Sequence, residues 1–120
     1  MGVLWFAAGV LVLVFVARSV ISSSTRLKPQ EAWKKIDDGA FLVDARTHSE
    51  FSAGHIKGAA NIPHSQVEAH LGKFPRNREI VVYCLSGHRS AYTIQTLRKH
   101  GFTRVFNAGT YDRLKNARAG

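Results

Sequence analysis

Ile80-Val81-Val82-Tyr83-Cys84-Leu85-Ser86-Gly87-His88-Arg89-Ser90 is the stretch from which the fold of this chain is read. Its first four residues are β-branched or aromatic and apolar on both faces, the pattern of a strand buried in a parallel sheet. Ser90 to His100 then reads as a helix, with Ala91, Ile94 and Leu97 spaced for one face and Gly101 as its stop. Cys84 therefore leaves a buried strand a few residues before a helix begins. In open α/β sheets, ligands sit beyond the carboxyl ends of the strands.

The flanking segments alternate between the same two periods. Pro29-Gln30-Glu31-Ala32-Trp33 opens a helix with Pro in its first turn, Trp33 and Ile36 on its apolar face, and Gly39 at its end. Phe41-Leu42-Val43 is a short strand, and His48 to Ala53 a helical turn. Ala59-Ala60-Asn61-Ile62 is a second strand stopped by Pro63. Ser65 begins a helix that carries Val67 and Leu71 and closes at Gly72. Val105-Phe106 is a last strand, and Leu114 lies on a terminal helix. Strand and helix in alternation predict an α/β layer fold around a mostly parallel sheet.

The loop after the central strand carries the chemistry. A strand-to-helix turn aims several backbone N–H groups at one spot and brings the positive end of the helix there. Both favour a thiolate over a thiol at Cys84. Gly87 permits positive φ and lets an anion approach the backbone. Arg89 adds a permanent charge and His88 a pH-dependent one. Taken singly, each residue has a plain reading: an Arg at a helix start is usually solvated, a His is usually incidental, and a Gly usually completes a turn. A lone cysteine is most often a small inert core residue. In this order after a buried strand, they point to a loop that holds an anion beside a nucleophile. The single cysteine rules out an intramolecular disulfide and argues against a cysteine metal cluster. Neither a metal site nor a cofactor is expected.

The net charge of +9 comes from scattered residues, among them Lys34, Lys35, Arg76, Arg78, Arg98, Lys99, Arg113, Lys115 and Arg118. No run of five like charges occurs, so this is no basic tail. The charge reads as a cationic surface, or as a field that attracts anions to a site. Nucleic acid is not the expected partner, because no aromatic residues interleave with one basic stripe.

The first 28 residues differ from the rest. Val3 to Ala17 is apolar or small and uncharged, and Val20 and Ile21 extend it beyond Arg18 and Ser19. As a helix, positions 3–21 span about 28 Å, close to a hydrocarbon core. Trp5 and Phe6 sit where interfacial aromatics are expected, and Arg18 can snorkel. The expectation is an uncleaved membrane anchor over 1–21 and a polar tether over 22–28. A cleaved signal peptide is the alternative, opposed by the absence of Lys or Arg before the run. Arg18, Arg26 and Lys28 follow the span, which predicts a cytoplasmic domain; a periplasmic or exported domain is the alternative.

The motifs resemble a known family. Val43-Asp44-Ala45-Arg46, Glu50-Phe51 and Gly54-His55-Ile56-Lys57-Gly58-Ala59-Ala60-Asn61-Ile62-Pro63 look like the signature that opens rhodanese domains. Tyr83 to Ser90 looks like that family's active loop, and Gly101-Phe102 with Val105-Phe106-Asn107-Ala108-Gly109 resembles the close of small phage-shock-type rhodaneses. The resemblance covers about residues 29–116, leaving 117–120 as a tail.

It implies a five-stranded parallel sheet with helices on both faces. It also implies a sulfurtransferase in which Cys84 takes sulfane sulfur from a small anionic donor such as thiosulfate. Cys84 would carry that sulfur as a persulfide among Leu85, Ser86, Gly87, His88, Arg89 and Ser90, and pass it to a thiol or cyanide-like acceptor. Arg46 either faces the donor anion or pairs with Asp44 to brace the site. A monomer is expected. Ala108-Gly109-Thr110-Tyr111 replaces the family's Gly-Gly-aromatic close, which bears on the far wall of the site. Rival readings are a non-enzymatic docking module, a persulfide carrier that needs a partner, and a cysteine phosphatase or arsenate reductase. The last has five residues between cysteine and arginine; here there are four.

Overall fold

The computed structural model describes residues 25–119. Helix α1 (Pro29–Asp37) leads into β1 (Phe41–Asp44), then α2 (His48–Ala53) and β2 (Ala60–Asn61). Two short 3-10 segments, His64–Gln66 and Glu68–Lys73, precede β3 (Ile80–Cys84). Helix α3 (His88–Lys99), β4 (Val105–Thr110) and α4 (Tyr111–Ala119) complete the order. The strands form one sheet in the order β2-β1-β3-β4, and every pairing is parallel.

Strand β3 lies at the centre and is buried along its whole length, as its apolar sequence requires. Its side chains alternate between two cores. Ile80, Val82 and Cys84 face Val67, Phe74, Ile94 and Leu97 on the α3 side. Val81 and Tyr83 face Ala32, Ile56 and Leu114 on the side of α1 and α4. Cys84 therefore points toward the helix whose first turn follows it. The two helices of the opposite layer are tied where Trp33 Nε1 donates to the Leu114 carbonyl at 2.8 Å.

The sheet has four strands rather than the expected five. Beyond β4, among the described residues, there is only an isolated parallel bridge between Arg26 and Asn107, with the Leu27 N–H donating to the Asn107 carbonyl at 2.8 Å. Pro29 ends that pairing, because it lacks an N–H and starts α1. The helix expected from Ser65 to Gly72 is also not regular. It is two 3-10 segments in which His70 departs from helical geometry (φ −127°, ψ 30°), and Phe74 is extended before Pro75 (φ −92°, ψ 125°). Proline disfavours the helical conformation in the residue before it, so burial of Val67 and Phe74 holds this stretch in place of a helical ladder. Residues 117–119, expected as tail, belong to α4.

The expected membrane-spanning segment over residues 3–21 lies outside the described residues. Among the described residues, no helix is long and apolar enough to cross a membrane. The transmembrane helix as part of the fold and the membrane-anchored cytoplasmic placement are corrected accordingly, and membrane association is not shown among the described residues.

Candidate active site

Cys84 ends β3 with its side chain fully buried. Its Sγ accepts the Gly87 N–H at 2.9 Å and the Ser90 N–H at 3.4 Å, and the Ser90 hydroxyl lies 3.5 Å away. Burial alone pushes the thiol up. The Ser90 hydroxyl and the N–H groups of Ser90, Gly87 and Ser86 outweigh it, and the net shift is downward. The loop thus stabilises negative charge on sulfur with backbone dipoles that are already oriented.

Gly87 makes the turn possible. Its φ of +93° belongs to the left-handed region, where a side chain is strained. A Cβ there would also run into the Arg26 guanidinium. Leu85, Ser86 and His88 are exposed, Arg89 is half-buried, and Gly87 and Ser90 are buried. The side chains of Leu85, Ser86 and His88 therefore face outward, while the Gly87 and Ser90 amides turn in to the sulfur.

Asn107 on β4 supports the loop from below. Its Oδ1 accepts the Ser90 hydroxyl at 2.7 Å and the Gly109 N–H at 2.8 Å, and its Nδ2 donates to the Gly87 carbonyl at 3.3 Å. A bulge follows it directly. The β3–β4 register pairs Val82 with Asn107 but Tyr83 with Gly109, which leaves Ala108 over. The Ser90 hydroxyl also lies 2.9 Å from the Gly87 carbonyl, so its one proton has the Gly87 carbonyl, Asn107 Oδ1 and Cys84 Sγ within reach.

Arg89, expected to meet a donor anion, is held by a carboxylate. Its Nη1 and Nη2 donate to Glu50 Oε1 and Oε2 at 2.7 and 3.0 Å. The Arg89 guanidinium, with help from Thr47, holds the Glu50 carboxyl down at about 2. Glu50 also closes a capping box with Thr47 at the start of α2, which ties that helix to the loop.

Arg46 is buried at the carboxyl end of β1 and gives its hydrogen bonds elsewhere. Nε and Nη2 grip Asp44 at 2.8 to 3.1 Å, and Nη2 donates to the Gly54 carbonyl at 2.6 Å. Its guanidinium lies 4.4 Å from the centre of the Tyr111 ring. Tyr111 in turn stacks on Tyr83 with centroids 6.0 Å apart. Asn61 closes the brace by donating to the Asp44 and Arg46 carbonyls at 3.2 and 2.9 Å. His55 stacks on Phe51 with ring centroids 3.7 Å apart and bonds the Phe51 carbonyl at 2.9 Å, so it steadies the end of α2.

The structure thus brings Cys84 and residues 85–90 together, and it commits Arg46 to Asp44. Sequence reasoning gave no role to Asn107, Glu50 or Arg26. The Thr47-x-x-Glu50 spacing is a readable capping signal. Nothing local marks the other two.

Residues 28–112 match the family model described as the rhodanese-like domain. YqhL of Bacillus subtilis is 30% identical over 106 residues, a match that covers 82% of this chain and 84% of YqhL. A sulfurtransferase of Allochromatium vinosum is 34% identical over 70 residues, covering 58% of this chain and 65% of that protein. The human single-domain sulfurtransferase TSTD1 superposes with a TM-score of 0.66 at 28% identity, over 76% of this chain and 95% of TSTD1. Relatives named as sulfurtransferases support sulfur transfer at the level of the family. By its matched residues and its fold, the chain belongs to the rhodanese-like domain family.

Proposed function

We propose that this protein is a thiosulfate sulfurtransferase in which Cys84 is the nucleophile and sulfur carrier. The domain over residues 29–116 carries the activity. The Cys84 thiolate attacks the outer sulfur of thiosulfate. A Cys84–sulfur bond forms, the donor's sulfur–sulfur bond breaks, and sulfite leaves with the electron pair. Cyanide or a thiolate then attacks the outer sulfur of the persulfide and returns Cys84 as thiolate. No oxidant or reductant is consumed in the transfer to cyanide, and the covalent intermediate divides one transfer into two displacements.

The observation that carries this reading is the pair of N–H groups, Gly87 at 2.9 Å and Ser90 at 3.4 Å, that meet on Sγ. The same inward-facing amides suit a terminal persulfide anion. Leu85, Ser86 and His88 form the outer lip, Arg89 with Glu50 forms one wall, and Ser90 is the proton-bearing floor. Arg46 is assigned to bracing β1 rather than to the donor.

The chain has one cysteine, so its mass reports directly on that residue. After reduction and then thiosulfate, the intact mass should rise by one sulfur, and cyanide should remove it as thiocyanate. Cys84→Ser should fold like the parent and do neither. A Ser variant that keeps more than a few per cent of the transfer would refute the mechanism.

A further inference from the structure

The Cys84 loop is gripped from outside by a residue that precedes the first helix. Arg26 is exposed, and its backbone bridges to Asn107 at the edge of β4. Its stem runs along Gly109, where an added Cβ would sit 3.3 Å from the Arg26 Cδ. Its guanidinium reaches Gly87, and Nη2 donates to the Ser86 carbonyl at 2.7 Å.

That carbonyl shares a peptide unit with the Gly87 N–H. No described peptide bond is cis, so within this rigid plane C=O and N–H point in opposite directions. The N–H on the far side is the one that reaches Cys84 Sγ at 2.9 Å, closer than the Ser90 N–H at 3.4 Å. A cation on the carbonyl side both orients this peptide and polarises it, which makes the N–H a stronger donor. Asn107 adds a second grip, since its Nδ2 holds the next carbonyl, that of Gly87. The two partners of one backbone bridge thus hold two consecutive carbonyls of the loop.

Arg26 also differs from the other arginines around the site. Arg46 and Arg89 are each paired with a carboxylate. Among the described residues, Arg26 forms no ion pair, and its guanidinium donates to a loop carbonyl.

We propose that Arg26 is a positioning residue for the Cys84 loop: by holding the Ser86 carbonyl, it keeps the Gly87 N–H aimed at the sulfur. The proposal rests on the reading of Cys84 as the nucleophile. It also gives Gly87 a second reason to lack a side chain, since any Cβ there displaces the guanidinium.

The test is the pH dependence of iodoacetamide alkylation of the reduced full chain, in which Cys84 is the only thiol. Arg26→Ala should move the midpoint up by about half to one pH unit. That corresponds to alkylation about three- to tenfold slower on the acid side, since one unit is tenfold in thiolate. Arg26→Lys keeps a donor and should fall between the two. The shift should survive about 0.5 M salt, because a hydrogen-bonded peptide is not screened as an exposed charge is. An unmoved midpoint in a natively folded Arg26→Ala protein overturns the proposal. So does a shift that vanishes in salt, which leaves Arg26 as a distant charge only. Alkylation needs no sulfur donor. A parent protein that takes no sulfur from thiosulfate therefore sinks the sulfurtransferase reading while leaving the Arg26 result standing.

Discussion

Arg89 and Glu50 hold each other by two hydrogen bonds, at 2.7 and 3.0 Å, across the wall of the Cys84 loop. The charge of Arg89, within the loop itself, is therefore largely compensated. Planar two-pronged pairing also fixes the Arg89 side chain, so it shapes the wall as well as charging it.

The first prediction concerns this pair. Glu50→Gln should release Arg89 and lower the thiosulfate KM by about three- to tenfold, on the order of 1 kcal/mol for one charge in a water-like surrounding. Arg89→Ala should raise KM by a similar factor, because it leaves the Glu50 charge facing the donor. Arg89→Lys should lie between, since it keeps the charge and loses the fork. Steady-state rates at low ionic strength read all three. A KM that rises in Glu50→Gln would mean that Arg89 must be held in place to bind donor at all.

The second prediction is a pH dependence. Glu50 is held down at about 2, first by the Arg89 hydrogen bonds. A carboxyl lowered on folding contributes stability that is fully present above its unfolded value, roughly 4.3, and is lost as pH falls through its folded value. The stability difference between parent and Glu50→Gln should therefore be constant above about pH 5 and shrink between there and about pH 2. Both side chains keep about a quarter of their surface in water, so the difference itself should be small. Urea midpoints measured from pH 2 to 7 give the curve. A difference that does not change over this range would show that the pair does not form in solution.

The third prediction separates bracing from donor binding at Arg46. Asp44 is fully buried and its carboxylate is gripped by Arg46. Arg46→Ala strands that charge and should cost about 3–5 kcal/mol of stability. Asp44→Asn with Arg46→Met, which removes both charges, should lose less. Arg46→Lys should lower the unfolding temperature yet leave the thiosulfate KM of the folded protein within about twofold. A large KM change with unchanged stability would return Arg46 to the donor site.

Local pattern was enough for much of the fold. The β-branched run from Ile80 to Tyr83 could only be a buried strand, and a cysteine between such a strand and a helix-opening glycine lies at a sheet's carboxyl edge wherever the other strands go. The start of α1 and the ends of α1 and α3 followed from Pro29, Gly39 and Gly101 for the same reason, proline and glycine acting on their own φ, whereas α3 begins at His88, two residues before the expected Ser90. The stretch from Ser65 to Gly72 misled because Val67 and Leu71 have helical spacing. That spacing records only that both residues share a face, and the extended Phe74 before Pro75 and the break at His70 outweighed it. Among the described residues, the fifth strand reduces to the Arg26–Asn107 bridge, whose pairing ends on its C-terminal side at Pro29.

Cys84 and its loop were legible as one unit by themselves, since they are contiguous and the loop depends on residue types at short, defined offsets. Their partners were not. Glu50 is 39 residues from Arg89, Asn107 is 17 from Ser90, and Arg26 is 60 from Ser86. Each contact exists only because parallel pairing returns separate segments to the same end of the sheet, and the bulge at Ala108, just after Asn107, shifts Gly109 and Thr110 against β3. The sequence by itself determined that a cysteine would stand at the tip of a buried strand among inward-turned amides. Which arginine braces, which lines the wall and which holds the loop was decided only by the tertiary structure. A guanidinium's role depends on whether a carboxylate or a carbonyl lies within about 3 Å of it, and no spacing along the chain encodes that distance.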